Sequence, residues 1–243
     1  MKKLLFMLLA LPSLAMAAGP AVDLDHAPIN LHDQESLQRG ARVFVNYCLN
    51  CHSAGYMRYN RMEDIGLTEP QIKENLVFAA DKSGETMYVA MRNEDAKAWF
   101  GAPPPDLSVI TRSRGPDWVY TYLRGFYRDD SRTTGWNNTV FDKVGMPHVM
   151  HDLQGHLAPV YRTEMGADGK EHQVIDRFEL IKPGMLTLAE YDALVGDLTN
   201  YLNWMGEPAK GDRLRIGLFV LLFLSVFYVV AFYLKKEFWK DVH

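Results

Sequence analysis

Cysteine is nearly absent from this chain: 243 residues hold only Cys48 and Cys51. Two cysteines cannot build a disulfide framework. Without a second Cys/His pair they cannot complete a four-ligand structural zinc site either. A strong net charge is also missing, the formal value being −4, and this balance disfavours nucleic acid as a partner. Internal repeats and low-complexity segments are lacking, so solenoid and fibrous architectures drop out. Long apolar runs are confined to the two ends.

The first run belongs to residues 1–17, where Lys2 and Lys3 precede an apolar stretch and Ala15-Met16-Ala17. That order is a signal peptide with its cleavage site. The second run, residues 214–234, carries a single charge, Arg215. At 1.5 Å per residue it spans a hydrocarbon core of about 30 Å. Lysines and arginines flank it on both sides, so local charge does not orient it and the signal peptide does. The expected layout is a signal peptide at 1–17, an exported domain at 18–212, an anchor at 213–234 and a tail at 235–243. The exported domain is placed on the periplasmic side of a bacterial inner membrane, and the tail in the cytoplasm. Residues 18–212 hold 19 basic against 28 acidic side chains, a net of −9. Such a body suits a basic partner, although solubility alone explains the charge equally well.

The two cysteines stand in Cys48-Leu49-Asn50-Cys51-His52, the C-x-x-C-H attachment signature of c-type haem. Two thiols at this spacing can each form a thioether to one porphyrin edge. The histidine beside them then directs a nitrogen at the iron. On a helix, positions 48, 51 and 52 share a face. The motif predicts one covalently bound haem c.

Asp33 is expected to cap a helix through Leu37, Ala41, Phe44 and Cys48. Gly40 lies on its apolar face, where a glycine costs up to about 1 kcal/mol unless another helix approaches closely. Short helices are expected over 69–80 and 85–100. Pro103-Pro104-Pro105 then holds an extended backbone with free carbonyls. The Pro105 carbonyl is placed to accept the N–H of a haem-ligating imidazole and so fix its orientation. A further helix from Asp106 to Tyr127 carries Arg112 and Arg114, able to pair with haem propionates.

Residues 129–184 are rich in turn signals, Asn137-Asn138 among them, and are expected to be irregular, with at most a short hairpin near Asp168-Gly169. A sixth iron ligand would come from this loop. Met146, Met150, His148, His151, His156 and Met165 are the donors, and spacing does not choose among them. The three histidines could also form a metal cluster, although loop histidines are ordinarily solvated. Thr187 and Glu190 form a capping box that opens a helix through Met205, the expected partner for the Gly40 face.

Five stretches in one order resemble the cytochrome c1 family, the haem subunits of the cytochrome bc1 complex (ubiquinol–cytochrome c reductase). They are Cys48-Leu49-Asn50-Cys51-His52-Ser53, Pro104-Pro105-Asp106-Leu107-Ser108 with Arg112 and Arg114, Val144-Gly145-Met146-Pro147, Leu202-Asn203-Trp204-Met205-Gly206-Glu207-Pro208, and the C-terminal span. The resemblance implies an all-α, class I cytochrome c-like domain with an enlarged irregular distal loop and one C-terminal transmembrane helix. It implies His52 and Met146 as axial ligands, Met150 in reserve, and Arg114 against a propionate. Gly115-Pro116-Asp117-Trp118 is more compact than the glycine-rich turn of many relatives, which puts the haem-edge contacts there in question. Electrons would come from a Rieske iron–sulfur protein and leave to a c-type cytochrome. Cytochrome b would be a further partner, within a dimeric complex. The rival readings are a haem subunit of a terminal oxidase, or a haem peroxidase or gas sensor with an open sixth site.

Overall fold

The fold begins at Asp33, whose carboxylate accepts the Ser36 N–H at 3.0 Å and caps α1 (Gln34–Val43). The computed structural model describes residues 22–165 and 169–241, so the signal-peptide segment lies outside them. Leu37, Gly40, Ala41 and Val43 form the buried face of α1. The helix runs on into a π-helical turn, Phe44–Cys48, closed by the Leu49 N–H donating to Phe44 O at 3.0 Å.

Beyond the cysteines, β1 (Ala54–Arg58) leads into a 3-10 helix (Tyr59–Ile65) and then α2 (Glu69–Asn75), shorter than the expected 69–80. The helix expected over 85–100 is only half there. Thr86–Met87 is extended as β2 and pairs with β1, and α3 (Asn93–Phe100) starts afterwards. The single helix expected from Asp106 to Tyr127 is two, α4 (Ile110–Arg114) and α5 (Pro116–Arg124). Pro116 causes the break, because it lacks an N–H and excludes helical geometry at the residue before it. Gly115 takes φ +89° there.

The region expected to be irregular is the largest correction. β3 (Phe126–Arg128) pairs with β4 (Trp136–Asn138). After α6 (His151–Gln154), β5 (Gly155–Met165) and β6 (Glu171–Pro183) form a long antiparallel hairpin. The protein is helix-dominated but not all-α, since its described residues include three two-stranded antiparallel ribbons. The hairpin is mostly exposed along its length, so its backbone ladder, not burial, holds it together.

The capping box is formed: the Thr187 N–H donates to Glu190 Oε2 at 2.8 Å and the Glu190 N–H returns to Thr187 Oγ1. It opens α7 (Leu188–Gly206), which buries Tyr191, Val195, Leu198, Leu202 and Met205 in the main core. α7 packs on α1 across Gly40, and Asn200 ties both to the N-terminal arm through Asn30 and Ser36. Only residues 207–209 separate α7 from α8 (Lys210–Phe238). α8 has no buried residue and is long and apolar enough to cross a membrane.

Candidate functional site

The π-turn places the cysteines. Beyond it the Cys51 and His52 N–H groups both donate to Cys48 O, at 3.0 and 2.8 Å, so the chain winds tightly and all three side chains reach one cavity. π-turns recur at functional sites because the extra residue re-aims the side chains that follow. Both cysteines are free thiols. Burial pushes the Cys48 thiol up to about 12 and raises Cys51 as well.

His52 is 9% exposed, and its Nδ1 lies 2.8 Å from Pro105 O. A carbonyl oxygen can only accept, so Nδ1 carries the proton and Nε2 keeps its lone pair. Burial lowers the His52 imidazole from its ordinary value, against the opposing pull of Pro105 and Asp106, and favours the neutral, ligating form. The proline run is locked in turn to the segment after the motif. Leu107 N–H donates to Ser53 O at 2.8 Å, and Asp106 accepts from the Gly55 and Ser108 N–H groups. Ser108 Oγ accepts from the Tyr56 N–H. The motif Pro-Pro-Asp-Leu-Ser is therefore a clamp that fixes the distance between a carbonyl and an imidazole.

The loop that carries Met146 lines the same cavity. It is organised by Asn137 and Asn138, buried residues of β4 that turn chemistry alone had suggested as a bend. Asn138 Oδ1 accepts the Val140 N–H, Asn137 Oδ1 accepts the Lys143 N–H, and Asn138 Nδ2 donates to Tyr122 O at 2.7 Å. Lys143 takes φ +59° in this turn. Tyr122 Oη lies 3.4 Å from Met146 Sδ. Burial holds the Tyr122 phenol well above its ordinary range, so it remains a donor.

The cavity between these walls has a volume of 410 Å³. Cys48, Cys51, His52, Met146 and Met150 all line it, and most of the remaining wall is apolar. Arg114 also lines it, exposed to solvent, with its guanidinium 5.3 Å from the Trp118 ring centre. It has no carboxylate partner within 4.0 Å among the described residues. Two thiols and a neutral imidazole with one committed nitrogen are the groups that attachment of a haem c requires, and a thioether and a guanidinium line the same cavity. The residues fit the group.

The other donors named from the sequence do not line this cavity. His148, His151 and His156 pack around the Trp136 indole at 5.1–5.8 Å between ring centres. Among the described residues no group of three or more His, Cys, Asp or Glu side chains is placed to hold a metal ion. Met165 is 69% exposed on the hairpin. Sequence reasoning missed Tyr122, although Trp118 and Tyr122 lie one turn apart on α5 and Phe126, at the same four-residue spacing, meets Tyr122 from the start of β3.

A covalent haem site beside a helix able to span a membrane defines a membrane c-type cytochrome. The family model described as the Cytochrome C1 family matches residues 25–158 and 184–242, which leaves out most of the β5–β6 hairpin. A protein of Allochromatium vinosum named cytochrome c1 is 49% identical over the full length of both chains. A protein of Nitrosomonas europaea named ammonia monooxygenase gamma subunit is 48% identical, again over all of both. Cytochrome c1 of Rhodospirillum rubrum is 27% identical over 94% of each chain. The chain belongs to the cytochrome c1 family, and its cofactor is one covalently bound haem c.

Proposed function

We propose that this chain is the electron-transferring haem subunit of a respiratory cytochrome bc1 complex. It takes electrons from a Rieske iron–sulfur protein and passes them to a c-type cytochrome, with cytochrome b docked near its anchor. The observation that carries the reading is a 410 Å³ cavity lined by His52, fixed by Pro105, together with Met146 and two free thiols. The haem supplies one-electron uptake and release when bound.

The chain's own residues do the rest. Cys48 and Cys51 would hold the porphyrin as thioethers, and His52 and Met146 would bind its iron, with Met150 as the alternative. The Pro105 carbonyl orients the imidazole and makes it more basic. Arg114 meets a propionate. A thioether opposite the imidazole raises the potential and closes the iron to exogenous ligands, so the chain makes and breaks no substrate bond. The body is a class I cytochrome c-like domain, residues 18–212, in the periplasm. α8 anchors it in a bacterial inner membrane with residues 235–243 in the cytoplasm, after export by the signal peptide at 1–17. The complex is dimeric.

The name of the Nitrosomonas europaea relative favours a second reading, in which this chain would accompany an ammonia monooxygenase. Purification of the native complex separates the two. The bc1 reading expects a two-haem b-type cytochrome and a Rieske protein in fixed ratio with this chain, and a pyridine haemochrome spectrum of one haem c. Recovery with ammonia-oxidising activity and without cytochrome b would replace it.

A further inference from the structure

We propose that Tyr122 is a positioning residue for the haem: its hydroxyl, by donating to Met146 Sδ, holds that thioether in place and raises the reduction potential. The inference rests on the reading of Met146 as the axial ligand.

The phenol is clamped on every side. Its ring stacks on Trp118 at 4.8 Å and 11°, and Phe126 meets it edge-on at 5.2 Å and 71°. Its own backbone carbonyl accepts from Asn138, the residue that also holds the start of the Met146 loop. The hydroxyl therefore has one aim, and at 3.4 Å it meets the methionine sulfur. A thioether is a weak acceptor, yet a buried phenol with no better partner uses it.

A thioether sulfur has two lone pairs. One faces the metal, and the other is free for Tyr122. A hydrogen bond to the second draws electron density from the sulfur and makes it a poorer donor to ferric iron. The ferrous state gains by comparison, as hydrogen bonds to ligating sulfur do in other redox centres. Methionine is also unbranched, with three rotatable bonds, so the same bond fixes a side chain that would otherwise wander.

The test uses the full chain in its membrane with haem attached. Tyr122→Phe keeps the ring and removes only the hydroxyl. The expected result is unchanged haem content, a retained His/Met optical spectrum, and about a threefold shift toward ferric haem at fixed applied potential. That ratio converts to about 28 mV at 59 mV per tenfold for one electron. A potential equal to that of the unmodified protein would overturn the proposal, leaving Tyr122 as packing. In a Met146→Leu background the same tyrosine change should shift nothing, and an equal shift there would also overturn it. If Met146→Leu itself keeps the original spectrum and potential, the ligand reading fails, whatever Tyr122→Phe does.

Discussion

Gly40 of α1 faces Asp197 of α7 so closely that a Cβ at residue 40 would press into the Asp197 carbonyl oxygen and come within 2.6 Å of Tyr201 Cβ. The opposing groups are backbone and a packed ring stem, neither of which can swing aside. Helix propensity favours alanine by up to about 1 kcal/mol, but overpacking costs about 1–3 kcal/mol. Gly40→Ala should therefore destabilise the domain by roughly 1 kcal/mol net, read as a lowered thermal midpoint. The same change at Gly217, where a Cβ meets nothing within 4 Å, should be neutral in that assay.

Met146 and Met150 both line the cavity, but Met150 is 2% exposed and belongs to the main core. Met146→Leu is expected to lower the potential markedly and to let carbon monoxide bind the reduced haem. Met150→Leu conserves volume and should cost under about 1.5 kcal/mol of stability with the potential unchanged. Redox titration and carbon monoxide difference spectra of the two variants decide between them. Reversed results would make Met150 the ligand.

The β5–β6 hairpin is bound to the body chiefly near its base, where Tyr127 meets Phe178 at 5.6 Å. Ala158 pairs with Glu179, so residues 159–178 can be replaced by Asn-Gly, a two-residue turn suited to a hairpin. The shortened protein is expected to incorporate haem normally and to melt a few degrees lower. Loss of haem would show that the hairpin shapes the site.

Hydrogen bonds from the Thr187 backbone N–H and hydroxyl hold the Glu190 carboxyl below its ordinary value of 4.5. A group depressed in the folded state stabilises above its unfolded value, and that contribution is lost as pH falls through the folded one. Glu190→Gln should therefore flatten the acid limb of stability between about pH 5 and pH 3. Thermal melts at pH 4 and pH 7 measure it. Because Glu190 is exposed, the difference should be small.

What the residues disclosed beforehand depended on how local the physics was. Cys48, Cys51 and His52 were legible because covalent chemistry sets their spacing, and Gly40 because a glycine on an apolar helix face calls for a close neighbour. Thr187 and Glu190 announced the start of α7 by the same short-range logic. A hairpin near Asp168-Gly169 was legible from its turn residues, but its length was not. Pro159 sits within β5, and both strands lie largely in solvent, so no buried alternation marks them. Asn137 and Asn138 read as a turn because their buried hydrogen bonds reach residues on either side that no pattern names. Tyr122 looked like one more aromatic of an amphipathic helix, since its partner lies 24 residues away in an irregular loop.

Residues 207–209 are the whole of the link between the core helix α7 and the apolar helix α8. Fully extended, three residues reach about 10 Å. With α8 held in a bilayer, so short a tether keeps the haem domain at the membrane surface. The domain can pivot there but cannot leave it. Donor and acceptor must therefore come to that surface to meet the haem.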